Sequence, residues 1–197
     1  MELYRTYCEY DGTLHVHGPY KICGESRGYL RGVMDTGRIR VPKACLGKPR
    51  HFLHSPHGSA LVADFFCADR AEARILARKA FYGLFCRVNI NMAPEDENRE
   101  GIYHCSCNIY GDVSMEGPFD LIRESQELVI CRMDGRASEL HARKTDFEKV
   151  RLVGLGTDPR LVVNTKGTKR EARLKAVRLF EDYFEETREK LKEGEGC

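Results

Sequence analysis

No stretch of this chain stays apolar for longer than a β-strand, so nothing in it is long enough to cross a bilayer as a helix. The opening residues Met1-Glu2-Leu3-Tyr4-Arg5 lack the charged segment and apolar run of a secretory signal. A cytoplasmic location is the expectation. Charge of one sign is also lacking: Lys and Arg number 32 and Asp and Glu number 30, for a net charge of +2. The small excess sits in residues 1–98, with 14 basic and 11 acidic side chains, while 99–197 carry 18 and 19. Bulk charge therefore gives a nucleic-acid role no support. The nine cysteines are an odd number, which fits a complete disulfide framework poorly, and in a reducing compartment they read mainly as free thiols. Tryptophan is absent.

What is present is self-similarity. Shifted by 99 positions, the chain matches itself in order: Gly18-Pro19 falls on Gly117-Pro118, Glu25-Ser26 on Glu124-Ser125, Met34-Asp35 on Met133-Asp134, and Glu72-Ala73-Arg74 on Glu171-Ala172-Arg173. Such self-similarity decides domain count before any other reading. It predicts a first unit over 1–90, a linker over 91–100, a second unit over 101–192 and a tail over 193–197. Short alternating segments bounded by turn residues fill the first two thirds of each unit. A helical pattern follows in each, about 69–87 in the first and from about 168 in the second. Asp69 with Glu72, and Thr168 with Glu171, have capping-box spacing. The expected fold class is α+β: a tandem repeat of two units, each a small antiparallel sheet with one long C-terminal helix packed on it. Phe81, Phe85, Phe180 and Phe184 fall on the apolar helix faces and are the expected core anchors.

Chemistry is sparse. His51, His54 and His57, with Cys45 upstream, have a spacing that suits imidazole ligands. On a strand, however, the odd spacing sends His51 and His54 to opposite faces. Cys105-x-Cys107 has no partner knuckle, and Cys8 matches Cys107 between the copies, which favours a core role. No metal, no cofactor and no catalytic residue is expected. The polar residues common to both copies, Glu25, Ser26, Asp35 and Arg74 with Glu124, Ser125, Asp134 and Arg173, are the candidate ligand-binding set. Turn and cap chemistry is the plainer account of the same residues.

The stretches Gly-Pro-Tyr-Lys-Ile and Glu-Ser-Arg-Gly-Tyr, with the helix start Lys169-Arg170-Glu171-Ala172, resemble small uncharacterised proteins of phages and mobile elements. Those proteins share a strand meander, a glycine-aromatic step and a Lys/Arg-Glu-Ala helix. This chain departs from them by its doubling and by lacking the tryptophan often found after that glycine. The resemblance implies an accessory or host-interaction role and no catalytic residues. The expected function is therefore a non-enzymatic binding protein, taking a small anionic ligand or a host protein at the groove between the copies. It would work as a monomer with pseudo-two-fold symmetry or as a homodimer, with no membrane partner. Two alternatives stand beside it. One is a hydrolase or nuclease using the His/Cys-rich first copy. The other is a nucleic-acid binder using the basic helix stripes.

Overall fold

The computed structural model describes residues 1–56, 58–85, 88, 98–133, 135, 139–153 and 160–193, with the backbone alone for 51–55, 58 and 59. The chain divides into two compact units, one of Met1–Phe85 with Glu186–Cys197 and one of Cys86–Glu185. The first holds β1 (Glu2–Cys8), β2 (Leu14–Glu25), β3 (Tyr29–Met34), β4 (Gly37–Pro42), a 3₁₀ turn at Lys43–Cys45, β5 (Arg50–Ser55), β6 (Gly58–Cys67) and α1 (Arg70–Tyr82). The second holds β7 (Glu100–Cys107), β8 (Val113–Glu124), β9 (Leu128–Met133), β10 (Glu139–Arg143), a 3₁₀ turn at Lys144–Asp146, β11 (Arg151–Val153) and β12 (Arg160–Thr168). The helix α2 (Lys169–Glu193) follows β12.

Each unit is a curled antiparallel sheet. The strand order is β4-β3-β2-β1-β6-β5 in the first and β10-β9-β8-β7-β12-β11 in the second. The protein is mostly β, with one short and one long helix, which corrects the expected α+β architecture of two units each closed by a long helix. The helices have 13 and 25 residues. Their starts are alike. The Asp69 carboxylate accepts from the Glu72 amide at 2.8 Å, and Thr168 Oγ1 accepts from the Glu171 amide at 3.3 Å. Their ends differ. Gly83 follows Tyr82 and stops α1, whereas α2 meets no glycine or proline between Lys169 and Glu193. The capping boxes are alike in sequence, and the position of the next helix breaker sets the length.

A kink in the second strand of each unit is where glycine is required. Gly18 and Gly117 precede cis prolines and have φ of 132° and 137°. A Cβ there would lie 2.9 Å from Tyr4 Cδ1 and 2.7 Å from Tyr103 Cδ1, respectively. The strand partners slip register at the same place, between Leu3 and Arg5 and between Ile102 and His104. The bare glycine lets each tyrosine ring approach the bulge closely, and Tyr4 and Tyr103 are both buried.

Burial on β2, β3 and β4 alternates as the pleat requires. Leu30, Ile39 and Val41 join Leu3 and Tyr20 in one buried cluster. Ile102, Phe119, Val129 and Cys131 form the corresponding cluster of the second unit. α1 packs on β6, β2 and β1, and Phe81, Phe85, Phe180 and Phe184 are all fully buried. Truncating a buried Phe removes its packing and leaves a cavity worth about 3–5 kcal/mol. Phe81→Ala and Phe180→Ala should each lower the melting temperature by many degrees in calorimetry, while exposed Arg74→Ala should leave it within about a degree or two.

Candidate functional site

The residues expected to bind ligand have clear local partners. Ser26 closes the β2–β3 hairpin: its Oγ accepts from the Tyr29 amide at 3.2 Å, and its own amide donates to the Tyr29 carbonyl at 2.9 Å. Ser125 does the same for Leu128 at 3.0 Å and 2.8 Å. Glu25 is ion-paired with Lys43, and Glu124 with Lys144 at 2.7 Å. The hydrogen bond and charge of Lys144 hold the Glu124 carboxyl below its ordinary pKa. Each pair ties a hairpin to the 3₁₀ turn after the fourth strand. Arg74 is exposed on α1, and Arg173 is half-buried on α2, where its charge acts on Cys105. Asp134 and His57 lie outside the described residues, as do the side chains of His51 and His54. Asp35 has a different setting, at the β3–β4 turn.

Asp35 lines a shallow cavity of about 630 Å³ together with Pro19, Lys21, Val33, Met34, Gly37 and Arg38. Register builds this surface. Lys21 on β2 pairs with Val33 on β3, and Val33 pairs with Arg38 on β4. Directly paired residues point to the same face, so the two cations flank Val33 in one row. One pleat along, Arg31 pairs with Arg40. Tyr29 lies two residues before Arg31 and shares its face. The Arg40 guanidinium lies over the Tyr29 ring at 3.8 Å. The outward face of β2–β4 thus carries Lys21, Arg31, Arg38 and Arg40, with Asp35 at its rim. Among the described residues, no carboxylate forms an ion pair with Lys21, Arg31 or Arg38. Like charges directly opposite each other on a sheet are destabilising.

The second unit treats the matching face differently. Its corresponding rows are Asp120–Arg132–Glu139, Arg123–Ile130–His141 and Leu128–Arg143. Arg132 is ion-paired with Glu139, and Asp120 with Arg99 at 2.7 Å. His141 also meets Glu139 at 3.2 Å. The first of these rows neutralises itself, whereas the row of Lys21 and Arg38 in the first unit does not.

A second polar surface lies in the second unit, a cavity of about 310 Å³ lined by His104, Ser106, Ser114, Glu116, Val153, Arg160 and Val162. His104 Nδ1 and Asn164 Oδ1 are 2.8 Å apart, and Ser106 Oγ and Ser114 Oγ are 2.7 Å apart. The Ser106 and Ser114 hydroxyls bond each other and not the imidazole. Three buried thiols are unsuited to attack. Burial, then the nearby Glu72 and Asp69, push Cys67 up to about 11. Burial does the same for Cys105, also to about 11, and raises Cys8. A nucleophilic cysteine needs the opposite shift.

Beneath the basic face sits a buried ion cluster that the sequence reading missed. Asp64 is fully buried and accepts from Arg5 Nε at 2.7 Å, from Arg5 Nη2 at 3.2 Å, and from Arg50. Burial works against the Arg5 charge, and the Asp64 carboxylate outweighs it, so its pKa is raised. Arg5 Nη2 also donates to the Arg40 carbonyl at 3.4 Å, which ties the cluster to β4. In the second unit His104 and Asn164 stand at these places as a hydrogen-bonded pair, and Arg151 turns to Asp146 at 2.7 Å. No protein-family model matches the chain, and no curated protein matches it.

Removing one partner of a buried charge cluster costs about 3–5 kcal/mol, whereas breaking a neutral buried hydrogen bond costs about 1–3. Asp64→Ala should therefore lower the denaturant midpoint far more than Asn164→Ala. Equal shifts would mean that the Asp64 cluster is solvated. The thiols give a second check. A folded pKa above the unfolded one of about 8.5 contributes stability that is full below that value and is lost as pH rises toward 11. In the native protein at pH 8, exposed Cys23 should react with a thiol reagent, while Cys67 and Cys105 should react only after unfolding.

Proposed function

We propose that this is a non-enzymatic binding protein that takes an anionic ligand on the outward face of β2–β4. The unneutralised cations carry this reading. Lys21 and Arg38 flank Val33 over a shallow cavity, with Arg31 facing Arg40 beside them and no carboxylate paired to Lys21, Arg31 or Arg38 among the described residues. A bound anion relieves that repulsion and makes charge-assisted hydrogen bonds to ammonium and guanidinium groups. Of the thiols in the first unit, Cys67 is held protonated by burial, which does not suit it as a nucleophile. On this reading the ligand lies on the face of one unit and not in a groove between the copies. Asp35 remains part of the site as a rim carboxylate, which favours ligands whose charge sits toward Lys21 and Arg38.

Inorganic pyrophosphate is a suitable probe. Titrated into isotope-labelled protein at low salt, it should shift the backbone resonances of Lys21, Val33 and Arg38 and leave those of Asp120, Arg132 and Glu139 in place. Arg38→Glu should reduce the affinity at least tenfold, because it replaces a donor with a like charge. Shifts confined to the second unit, or none at all, would contradict the reading.

A further inference from the structure

We infer that the ligand of this face is a single-stranded nucleic acid, an identification that rests on the anion-binding reading above. Two features of the face go beyond a site for a small anion. The first is extent. The cations occupy two successive rows, Lys21 with Arg38 and Arg31 with Arg40. Rows of outward residues recur about every 6.6 Å along a strand, twice the rise per residue. A phosphodiester chain lying along β3 and β4 therefore meets one row after another. A single phosphate uses only one row.

The second feature is Tyr29. The residue is 39% exposed, although it is a large partly apolar group. The Arg40 guanidinium lies over its ring at 3.8 Å. Together they set an aromatic ring and a guanidinium side by side at the end of the cationic rows. Splayed bases stack on aromatic rings and on guanidinium planes, and single strands are bound by such platforms beside a basic track. An acidic peptide needs the cations and has no use for the stack. A duplex keeps its bases inside and offers none to Tyr29. The second unit sets Leu128 where the first has Tyr29, and Ile130 where it has Arg31, so it keeps cations at Arg123 and Arg143 but has neither the ring nor an arginine facing an arginine.

The test is fluorescence anisotropy on the full chain with a labelled 12-nucleotide single strand. A 12-base-pair duplex, a polyglutamate peptide of equal charge and pyrophosphate serve as competitors. The single strand should bind, and the duplex and peptide should compete at least tenfold more weakly. Each phosphate contact contributes a slope of about 0.7 to the fall of log affinity with log salt, so four cations should give about −2 to −3. Lys21→Ala, Arg31→Ala and Arg38→Ala should each reduce that slope by about 0.7. Tyr29→Leu should weaken the oligonucleotide about 5- to 150-fold and leave pyrophosphate binding unchanged. These variants change exposed side chains, and unchanged melting temperatures would confirm that they fold. Equal binding of the peptide, tighter binding of the duplex, or an indifferent Tyr29→Leu would each overturn the nucleic-acid identification. If pyrophosphate binds at Lys21 and Arg38 and the oligonucleotide does not, this inference fails and the anion reading stands. If neither binds, both fail.

Discussion

One buried carboxylate, that of Asp64, braces the surface on which the functional reading depends. It receives two hydrogen bonds from Arg5 on β1 and one from Arg50 on β5, and Arg5 reaches on to the backbone of β4 at Arg40. Four of the six strands of the first sheet are joined through that one group. Two guanidiniums on one carboxylate leave a local excess of positive charge, and a buried charge of that kind is stable only with geometry this complete. The outer consequence is that β4 is held in a fixed register against β3, which is what sets Arg38 beside Val33 and Arg40 across from Arg31. A slip of one residue in β4 would turn Arg38 and Arg40 toward the core.

The same chain carries its own comparison. The second unit has the same strand order and the same kinked glycine-proline step, yet its row Asp120–Arg132–Glu139 closes in ion pairs and a His–Asn hydrogen bond stands where the first unit has its Arg–Asp cluster. A sheet of this kind therefore stands without the Arg–Asp cluster and without a row of opposed cations. Where the first unit keeps both, they are not demanded by the topology. Repulsion between Arg31 and Arg40 costs stability, and Arg40 recovers part of it by lying on Tyr29.

Much of the framework was legible in the sequence. Period-two patterning located the strands, and the Asp69/Glu72 and Thr168/Glu171 spacing located both helix starts. Phe180 and Phe184 marked the buried face of α2 and Phe81 that of α1, while Phe85 is buried past the end of α1. A long helix over about 69–87 in the first unit was expected because the breaker at Gly83 was passed over. The candidate site was far less legible. Glu25, Ser26, Glu124 and Ser125 stood out because they match between the halves, and they match because one hairpin geometry is used twice. Lys21, Arg31, Arg38 and Arg40 match nothing, so self-similarity hid them. Their convergence depends on pairing register, and a bulge between Ile22 and Gly24 breaks the simple alternation on β2. Asp64 and Asn164 stand 100 positions apart and Arg50 and Arg151 stand 101 apart, so a constant shift of 99 never sets them side by side.

The central claim is that the basic face of β2–β4 is kept for a ligand at the expense of stability. The most direct measurement is the melting temperature of Arg31→Gln against the parent, in the absence of ligand, at low and at high salt. Removing one of two opposed guanidiniums should raise the melting temperature at low salt, and the gain should vanish as salt screens the repulsion. A variant that melts below its parent at both salt concentrations would mean that Arg31 supports the fold, and the account would be contradicted.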